Sequence, residues 1–331
     1  MKQVVLAHAL DHRPAAADFA VIDAAPPVCP KGGVRVQLSH ISMDPYVGSR
    51  LRGRHMGEPA PEPMIEAIPG HGVGRVIESQ SAEHAVGDWV YVMDAGWREV
   101  TGAAASDARK IDVRGLDPAI YLSALGMPGL TAWAGITQLA KVGEGDVVLV
   151  DAAAGAVGGA VGQIARARGA AEVIGIAGGP EKCALVTGRY GFDACFDHRS
   201  ESWRDQLAER YGGRISVHFE NVSVDMLMLA LTHMAAYGRV VLCGLAAHYH
   251  ADQPAPGLPI GMVIGKRAKL HGLVVYDFYD RWEEFLSEAA PLAREGRLTI
   301  AEDRAQGLAE APAVFERLVS GRNTGKALIA L

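Results

Sequence analysis

The sequence predicts an α/β protein in which a small β-rich part is combined with a doubly wound parallel sheet. Three observations support this fold class: alternating strand patterns up to about residue 125, strand–helix alternation from about residue 130, and a glycine-rich turn between one of the later strands and its helix. A length of 331 residues fits about two domains. The 39 glycines make up roughly 12% of the 331 residues, against a usual share of about 7%. Tight turns and close backbone approaches are therefore expected.

The first part contains short strand patterns that are broken by turn residues. Val34–Leu38 alternates between apolar and polar residues, and Gly72–Ile77 and Trp89–Val92 follow between glycines and prolines. This pattern predicts a small, mostly antiparallel barrel or sandwich. The last ~35 residues return to short strand-and-turn character and end in Lys326–Leu331, so we expect them to join this part.

The second part alternates buried strands with helical patterns, which is typical of a doubly wound sheet. The predicted strands are short apolar runs of the kind that parallel sheets bury on both faces. They are Val147–Val150, Val173–Ile176, Ser216–Phe219, Val240–Cys243 and Leu273–Val275, and the predicted helices include Ala160–Arg168 and Val224–Ala236.

The composition excludes several classes of protein. Hydrophobic residues make up 49% and charged residues 21%, as in ordinary globular proteins and unlike disordered chains. The net charge of −6 provides no basic field, so nucleic acid is not an expected partner. No stretch approaches the ~18 consecutive apolar residues of a membrane span, so no membrane partner is expected either.

The N-terminus and the cysteines favour a cytoplasmic protein. The first apolar run is too short for a signal sequence and contains His8. The four cysteines, Cys29, Cys183, Cys195 and Cys243, are dispersed and form no C-x-x-C pair. We therefore expect neither a disulfide framework nor a structural zinc knuckle, and we expect a reduced, cytoplasmic compartment.

A glycine-rich turn follows the strand at 147–150 and suits a dinucleotide. Small residues at Ala153, Gly155 and Gly158 allow a tight turn and a close approach to a pyrophosphate, and Gly162 allows close packing of the helix that follows. The N–H groups at the start of this helix would bind the anion. The alternative is that the small residues serve packing alone, but the position inside a strand–helix–strand unit favours dinucleotide binding.

The end of the next strand favours NADPH over NADH. An NAD site usually has an acid there for the ribose 2′-hydroxyl, whereas this chain has Gly178 and Gly179, with Lys182 shortly after. Glycines leave room for a 2′-phosphate and Lys182 can pair with it, although Lys182 could also be a solvated surface charge. Glu181 is the one nearby acid, and we expect it to point outward at the start of a helix.

Neither a metal nor an acyl-transfer nucleophile is expected. His71 lies in a Gly-His-Gly segment similar to one that supplies a ligand in zinc alcohol dehydrogenases, where catalytic zinc also needs thiolates. The matching segments, residues 41–44 and 125–128, contain no cysteine, so we interpret His71 as a strand or turn residue. No G-x-S-x-G motif is present in the sequence.

Motifs along nearly the whole chain resemble those of one enzyme group. They are Met43-Asp44-Pro45-Tyr46, Leu125–Ala132, Ala152–Gln163, Glu220-Asn221-Val222, Cys243–Tyr249 and Asn323–Lys326. With these motifs the chain resembles the zinc-free medium-chain dehydrogenase/reductases, in particular the branch of prostaglandin reductase, leukotriene B4 dehydrogenase, alkenal double-bond reductase and curcumin reductase. The Asp-Pro-Tyr and Gly-Met-Pro-Gly-Leu-Thr-Ala motifs are specific to this branch.

The resemblance implies a domain plan, a cofactor and a set of site residues. The plan is a GroES-like β-barrel substrate domain, residues 1–125 and 297–331, around a Rossmann NADPH-binding domain, residues 126–296, commonly as a homodimer. The implied cofactor-binding residues are Pro45, Met127, Gly129, Thr131, Gly155, Ala156, Val157, Gly158, Gly178, Lys182, His198, Asn221, Cys243, Gly244, Asn323 and Gly325. His198 stands where the family often has a tyrosine, and Gly179 where it usually has a serine.

The resemblance also implies a reaction, in which a hydride passes from NADPH to the β-carbon of a small-molecule enone or enal. Charge then develops on the carbonyl oxygen, and Tyr249 is the expected hydrogen-bond donor to it, with Tyr46 lining the same site. Alternatively, Tyr249 is a packed aromatic residue with a structural hydrogen bond. Two further functions stay open: a quinone reductase of the same superfamily, and an NADPH-binding protein without catalysis.

Overall fold

The structure of the protein is a computed structural model that describes residues 1–249 and 255–331. Its strands are β1 (Lys2–Leu6), β2 (Phe19–Asp23), β3 (Gly33–Ser42), β4 (Gly72–Ser79), β5 (Trp89–Val92), β6 (Val100–Ala104), β7 (Ala108–Lys110), β8 (Val147–Val150), β9 (Glu172–Ala177), β10 (Ala194–Asp197), β11 (Ile215–Glu220), β12 (Met234–Leu242), β13 (Lys269–Gly272), β14 (Glu302–Gln306) and β15 (Lys326–Ala330).

The α-helices are interleaved with these strands and are denser in the second half of the chain. They are α1 (Val47–Arg50), α2 (Met127–Trp133), α3 (Ala156–Ala167), α4 (Pro180–Gly188), α5 (Trp203–Tyr211), α6 (Val224–His233), α7 (Ile260–Lys266), α8 (Trp282–Arg294) and α9 (Ala311–Val319). A π-helical segment, Ala134–Leu139, continues α2, and short 3₁₀ helices occupy Ala16–Asp18, Ala105–Asp107, Pro118–Leu122, Val275–Arg281 and Leu308–Glu310. The predicted α/β fold class is confirmed.

The first of two compact units contains Met1–Leu122 and Glu302–Leu331, and Tyr249 groups with it. Its larger sheet runs β14-β15-β3-β4-β5-β7, with β6 also paired to β3, and it is antiparallel apart from the β14–β15 pair. Alternate residues of β3, Val34, Val36 and Leu38, are buried, as the sequence predicted. The chain end completes this sheet because β15 pairs with β3.

The second unit contains Ser123–His248 and the chain from residue 255 to Ala301. In its described residues one sheet has the strand order β10-β9-β8-β11-β12-β13, and every pair is parallel. This order is the one found in dinucleotide-binding sheets, in which the direction of winding reverses between the two central strands. Here those strands are β8 and β11, so ligands are expected at their carboxyl ends.

Several predicted elements have different bounds in the structure. The helix predicted at Val224–Ala236 ends at His233 because Met234 adopts an extended conformation and begins β12. The helix predicted to start at Ala160 begins four residues earlier, at Ala156. The strand predicted at Leu273–Val275 is wrong, since β13 precedes it and pairs with β12 at Lys269–Gly272.

The chain end is also more helical than its sequence predicted. Between β14 and β15 lies α9, whose buried residues Ala311, Val314 and Phe315 belong to the core of the first unit. These residues follow the spacing of a helix, which the prediction of strand-and-turn character overlooked. In the described ranges no helix is both long and apolar enough to cross a membrane.

Candidate active site

The turn after β8 leads directly into α3 at the point where the sheet reverses its winding. Ala152 adopts a left-handed conformation with φ +45°, and the Gly155 N–H closes the turn onto the Ala152 carbonyl at 2.9 Å. The residue with positive φ is therefore Ala152, which is not one of the small residues, Ala153, Gly155 and Gly158, to which the tight turn was assigned from the sequence. Gly155 is the N-cap residue of α3, with an extended conformation, and as a glycine it has no side chain to cap this helix.

Two glycines of α3 are required by contacts rather than by backbone angles. A Cβ on Gly158 would lie 2.4 Å from the Ala152 carbonyl oxygen, and a Cβ on Gly162 would lie 2.0 Å from the Phe192 ring. Gly158 therefore allows the turn to fold tightly over the start of the helix. Gly162 packs against Phe192, in the segment between α4 and β10.

The start of α3 has the features of an anion site. The N–H groups of Ala156, Val157 and Gly158 lie in the first turn of a 12-residue helix, before any intrahelical acceptor is available. The helix dipole adds a partial positive charge at this end. The uncapped first turn and the Gly158 cradle therefore fit a pyrophosphate.

A second group of residues lies at the end of the neighbouring strand, β9. A Cβ on Gly178 would lie 2.8 Å from His198 Nε2 and 3.2 Å from Arg199 Nε, so these side chains lie against the glycine. Lys182 belongs to the first turn of α4, which begins directly after Gly179. This end of β9 therefore combines glycines with basic side chains, and their contact with a 2′-phosphate stays a prediction.

Arg199 was missed by sequence reasoning. Its guanidinium comes within 3.4 Å of the position of a Gly179 Cβ, and its N–H donates to Asp197 Oδ1 at 2.9 Å. Asp197 also accepts the Gly179 N–H at 2.7 Å, so one carboxylate holds both loops. The signal that could have found Arg199 is its place directly after His198, at the end of a strand parallel to β9.

At the end of β11, Asn221 is tied to Asp151 at the end of β8. The Asn221 N–H donates to Asp151 Oδ1 at 2.7 Å, and the Asn221 side-chain amide donates to the Asp151 carbonyl at 3.1 Å. These two bonds fix the orientation of the amide beside the glycine turn. The predicted cofactor residue Asn221 thus lies at the reversal point of the sheet.

Asp151, His218 and Glu220 form a buried group that we call the Asp151 cluster. His218 Nε2 lies 3.0 Å from Glu220 Oε2 and 3.8 Å from Asp151 Oδ2. Glu220 Oε1 accepts the N–H groups of Val222 and Ser223 at 2.6 and 2.7 Å, next to the start of α6. All three side chains are inaccessible to solvent.

The two acids of this cluster ionise differently. Burial and the nearby Glu220 carboxylate raise the pKa of Asp151 well above its usual value. Burial also disfavours ionisation of Glu220, but His218, through its hydrogen bond and its charge, together with hydrogen bonds from Asp151 and the Val222 N–H, outweighs this and lowers the pKa of Glu220. Between the two pKa values, Asp151 therefore holds a proton while Glu220 is ionised. Burial, with both acids nearby, raises the pKa of Cys243 to about 12, so this cysteine stays a thiol.

The segment after β12 is held against the end of β11. The N–H groups of Cys243 and Gly244 donate to the Glu220 carbonyl at 2.9 and 3.2 Å, and Ala246 donates to the Asn221 carbonyl at 3.1 Å. This segment leads to Tyr249, which is half-buried and is the last residue before 250–254. The predicted residues Asn221, Cys243 and Gly244 are thus brought together.

In the first unit, Tyr46 and His71 form a pair. The Tyr46 hydroxyl lies 3.3 Å from His71 Nε2, and the His71 ring stacks on Tyr91 with 5.6 Å between centroids. Burial lowers the pKa of His71, so the imidazole is neutral at neutral pH. His71 lies directly before β4, as expected for a strand or turn residue, but its contact with Tyr46 was not predicted.

Two of the sequence motifs meet in a buried ion pair between Asp44, two residues before Tyr46, and Lys326. Lys326 Nζ lies 2.5 Å from Asp44 Oδ1 and donates to the Met43 carbonyl at 2.9 Å, and the Ser42 hydroxyl donates to Asp44. We call Ser42, Asp44 and Lys326 the Asp44 cluster. Burial opposes ionisation of Asp44, but the Lys326 charge, together with His71 and the hydrogen bonds from Lys326 and Ser42, outweighs it and lowers the pKa of Asp44.

The remaining predicted cofactor residues have local roles in the structure. A Cβ on Gly129 would lie 1.9 Å from the Ala124 carbonyl, so close packing requires this glycine. The Thr131 hydroxyl donates to the Met127 carbonyl at 2.7 Å, one turn earlier in α2. Pro45 directly precedes Tyr46, and the Asn323 amide donates to the Gly325 carbonyl at 2.9 Å, in a turn where Gly325 has φ +73°. Contact of these residues with a cofactor stays a prediction.

The residues present do not fit a catalytic zinc. His71 is paired with Tyr46, and the Cys29 thiol contacts backbone carbonyls, at 3.6 Å for Gly33. Over residues 1–249 and 255–331, only the Asp151 cluster brings three possible ligand atoms within 4.8 Å of one another. Glu220 is already hydrogen-bonded to His218 and to the N–H groups of Val222 and Ser223, and Asp151 accepts the Asn221 N–H, so these groups serve the protein's own hydrogen bonds.

Comparison with known families and proteins gives consistent matches. Residues 156–290 match the family model described as zinc-binding dehydrogenase, and residues 2–111 match the N-terminal domain of oxidoreductase. The NADPH-dependent curcumin reductase of Escherichia coli is 34% identical over 90% of this chain and 88% of its own. The NADP⁺-dependent 2-alkenal reductase of Nicotiana tabacum is 34% identical over 99% and 96%, and prostaglandin reductase 1 of Bos taurus is 30% identical over 96% and 94%.

Solved structures agree with these relatives. The crystal structure of CurA from Vibrio vulnificus superposes with a TM-score of 0.89 and 32% identity, over 99% of this chain and 98% of that one. CurA in complex with NADPH superposes with a TM-score of 0.88, again at 32% identity, over 100% of this chain and 99% of that one.

Proposed function

The chain belongs to the zinc-free branch of the medium-chain dehydrogenase/reductases, and we propose that it uses NADPH to reduce the C=C bond of small α,β-unsaturated ketones and aldehydes. The observation that carries the proposal is the reversal point of the parallel sheet, where the uncapped start of α3 and Asn221 lie at adjacent strand ends. The relatives named for curcumin and 2-alkenals supply the substrate class, because both compounds contain a C=C bond conjugated to a carbonyl.

The cofactor is assigned to residues of the second unit. The N–H groups of Ala156, Val157 and Gly158 would bind the pyrophosphate, since the N-cap residue Gly155 has no side chain to compete for them. Asn221 would hydrogen-bond farther along the cofactor, with its amide already oriented by Asp151. When bound, NADPH supplies the hydride for the β-carbon of the enone.

The preference for NADPH is assigned to the basic residues at the end of β9. His198 and Arg199 lie against Gly178, Lys182 lies in the first turn of α4 after Gly179, and Asp197 accepts the N–H groups of Gly179 and Arg199. Lys182→Ala and Arg199→Ala are each expected to raise the KM for NADPH about tenfold or more and to leave the KM for NADH unchanged, because NADH lacks the 2′-phosphate. Steady-state kinetics with both cofactors measures this. Equal effects on both cofactors would contradict the assignment.

Tyr249 is assigned as the hydrogen-bond donor to the substrate carbonyl, and Tyr46 is assigned to the lining of the same site. Negative charge develops on the carbonyl oxygen, and a neutral hydroxyl directed at it lowers the barrier. Tyr46 has a hydroxyl beside the neutral His71, which can accept or donate a hydrogen bond. The hydroxyl of Tyr249 then either donates the proton for the product or orients the carbonyl.

A substrate screen tests the proposed reaction. NADPH oxidation is followed with enones, alkenals and quinones, and the products are identified by mass spectrometry. Turnover of enones to products with a saturated C–C bond is expected. Turnover of quinones alone would support a quinone reductase, and tight NADPH binding without any turnover would support a non-catalytic protein. Either result would overturn the proposal.

Two matched variants test the roles of the tyrosines. Tyr249→Phe is expected to lower kcat on an enone about a hundredfold, with unchanged NADPH affinity, because one hydrogen bond to the developing oxyanion is lost. Tyr46→Phe, which removes the same atom from a residue that lines the site, is expected to have a smaller effect. Unchanged turnover of Tyr249→Phe would remove this residue from the mechanism.

We further propose the domain roles, a homodimer and a cytoplasmic location. The first unit would hold substrate, with residues 1–125 and 297–331 as its proposed limits, and the second would hold NADPH, with residues 126–296.

Exposed apolar side chains on α7, Ile260 and Ile264, support a dimer surface beside the edge strand β13. Ile264→Glu is expected to give a monomer in analytical ultracentrifugation, and a monomeric wild type would contradict the dimer. Cell fractionation tests the location, for which the dispersed cysteines are the support.

A further inference from the structure

Two cysteines of the second unit, Cys183 and Cys195, lie in contact with each other, and both lie outside the glycine turn. Cys183 lies on α4 and Cys195 on β10, and their sulfur atoms are 3.0 Å apart. This separation is only about 1 Å longer than a disulfide bond. Both residues are free thiols and both are half-buried, so a small reagent can approach the pair.

The thiol pair adjoins the basic residues assigned to the 2′-phosphate. Cys183 follows Lys182 on α4, and its N–H donates to the Gly179 carbonyl at 3.1 Å. On the other side, Cys195 is two residues before Asp197, the carboxylate that holds the Gly179 and Arg199 loops. A bond between the two sulfurs would therefore link the two elements that carry these basic side chains.

We propose that Cys183 and Cys195 are a redox modification site, at which a low-molecular-weight disulfide such as oxidised glutathione converts the two thiols into an intramolecular disulfide. This part of the inference is independent of the proposed function. A second part rests on the proposed function: the disulfide changes the placement of Lys182 relative to Arg199 and weakens the binding of NADPH more than that of NADH.

The chemistry balances as two successive thiol–disulfide exchanges. The Cys183 thiolate attacks one sulfur of the reagent, forms a mixed disulfide and releases one glutathione thiolate. The Cys195 thiolate then attacks the Cys183 sulfur, forms the internal S–S bond and releases the second glutathione thiolate. Two protons leave the protein, and the reagent gains the two electrons that the protein thiols lose.

The order of attack follows from the hydrogen bond between the thiols. The Cys195 thiol donates to the Cys183 sulfur, which favours ionisation of Cys183, so Cys183 attacks first. Burial nevertheless raises the pKa of Cys183 and that of Cys195, so little thiolate is present at neutral pH. Oxidation is therefore expected to be slow at neutral pH and to accelerate as the pH rises.

The experiment treats the full-length protein with oxidised glutathione and counts free thiols in denaturant. We expect the wild type to fall from four free cysteines to two, and peptide mapping without reductant should find Cys183 joined to Cys195. Cys29→Ser, which alters a buried cysteine in the first unit, is the matched control and should still lose two thiols. Cys183→Ser and Cys195→Ser should each form no intramolecular disulfide.

A stable glutathione adduct without an internal bond, or a bond that involves another cysteine, would overturn the proposal. If one serine variant fails to fold, the wild-type peptide map alone decides the question. The effect on the cofactor is measured separately, as the dissociation constants of NADPH and NADH for the reduced and oxidised protein. We expect oxidation to weaken NADPH about threefold or more, through partial loss of a charge-assisted contact, and to leave NADH unchanged.

These two readouts separate the two parts of the inference. A disulfide that forms without changing the ratio of the two constants would overturn the coupling to the phosphate site and leave the modification site intact. A reduced protein that binds neither nucleotide would refute the proposed function, while the thiol count and the peptide map would still decide whether the disulfide forms.

Discussion

The Asp44 cluster in the first unit and the Asp151 cluster in the second are both buried, but their charges are balanced in different ways. Asp44 faces the ammonium group of Lys326 at 2.5 Å, and the pKa of Asp44 is lowered. Asp151 shares its surroundings with a second acid, Glu220, and its pKa is raised. A buried carboxyl therefore ionises when a cation is supplied and keeps its proton when another acid is nearer.

The difference has structural consequences. The Asp44 ion pair joins the segment before Tyr46 to β15, so it links two segments that are distant in sequence. The Asp151 cluster instead combines one proton, one imidazole and one carboxylate, and it orients the amide of Asn221. We expect both clusters to respond to pH, with opposite signs, and we expect loss of charge to cost more in the first cluster.

The largest effect is expected for Lys326→Met. This variant leaves the Asp44 carboxylate buried without a cation, which costs about 3–5 kcal/mol of the free energy of unfolding. Urea denaturation measures the loss. The double variant Asp44→Asn/Lys326→Met removes both charges and should recover a large part of it. If the single variant loses less than about 1 kcal/mol, the ion pair is not the link that the structure indicates.

A smaller and asymmetric effect is expected in the Asp151 cluster. Glu220→Gln removes the charge that accepts the Val222 and Ser223 N–H groups and should cost about 1–3 kcal/mol. Asp151→Asn replaces a carboxyl that already carries a proton by a group of the same shape, and it should cost less. Urea denaturation of the two variants side by side measures the asymmetry, and equal or reversed losses would show that the proton is on the other acid.

Asp151→Asn should also alter the pH dependence of stability. The folded pKa of Asp151 lies above the ordinary value of 3.8, so its contribution is fully present below the unfolded pKa and is lost as the pH rises through the folded pKa. The stability advantage of the wild type over Asp151→Asn should therefore shrink with rising pH, in urea denaturation at several pH values. A constant difference would contradict the raised pKa.

Asp44 provides the opposite sign for comparison. Its folded pKa is lowered, so its contribution is present above the unfolded pKa and is lost as the pH falls through the folded pKa. The pH series on Asp44→Asn should accordingly show a wild-type advantage that shrinks toward acid. The same trend with pH in both variants would mean that the two clusters do not differ as described.

The smallest effect is expected for an exposed ion pair of similar length. Lys2 Nζ lies 2.7 Å from Asp23 Oδ2, but the two side chains are 50% and 77% exposed. Solvent screens this pair, so Lys2→Met should leave the midpoint of urea denaturation unchanged within error. A clear shift would show that distance, rather than burial, sets the strength of the Asp44 ion pair.

Local patterns were sufficient to predict much of the fold. The strands around Val147–Val150 and Val34–Leu38 were placed correctly because burial on two faces or on one face leaves a distinct pattern in sequence. The position of the glycine turn was also predicted correctly, because the lack of room for a Cβ at Gly158 requires a glycine there and leaves a mark in the sequence. The strand bounds near Leu273 were predicted wrongly because pairing with β12, rather than apolarity, determines where β13 lies.

The sites were predicted in part. Lys182 was found from its position after a predicted strand and Asn221 from the family resemblance, and their roles stay predictions. Arg199 was missed because only the parallel pairing of β9 with β10 brings it to Gly178. The contact of Tyr46 with His71 was missed because it joins a segment before α1 to the start of β4.

The sequence by itself determined the α/β class, the glycine turn and the set of motifs, because these depend on backbone sterics and on the spacing of neighbouring residues. Only the tertiary structure decided how charges are paired. Asp44 and Lys326 are 282 residues apart and become partners through the pairing of β15 with β3. Asp151 and Glu220 meet because β8 and β11 are adjacent, and that proximity, which no local pattern contains, determines which acid keeps its proton.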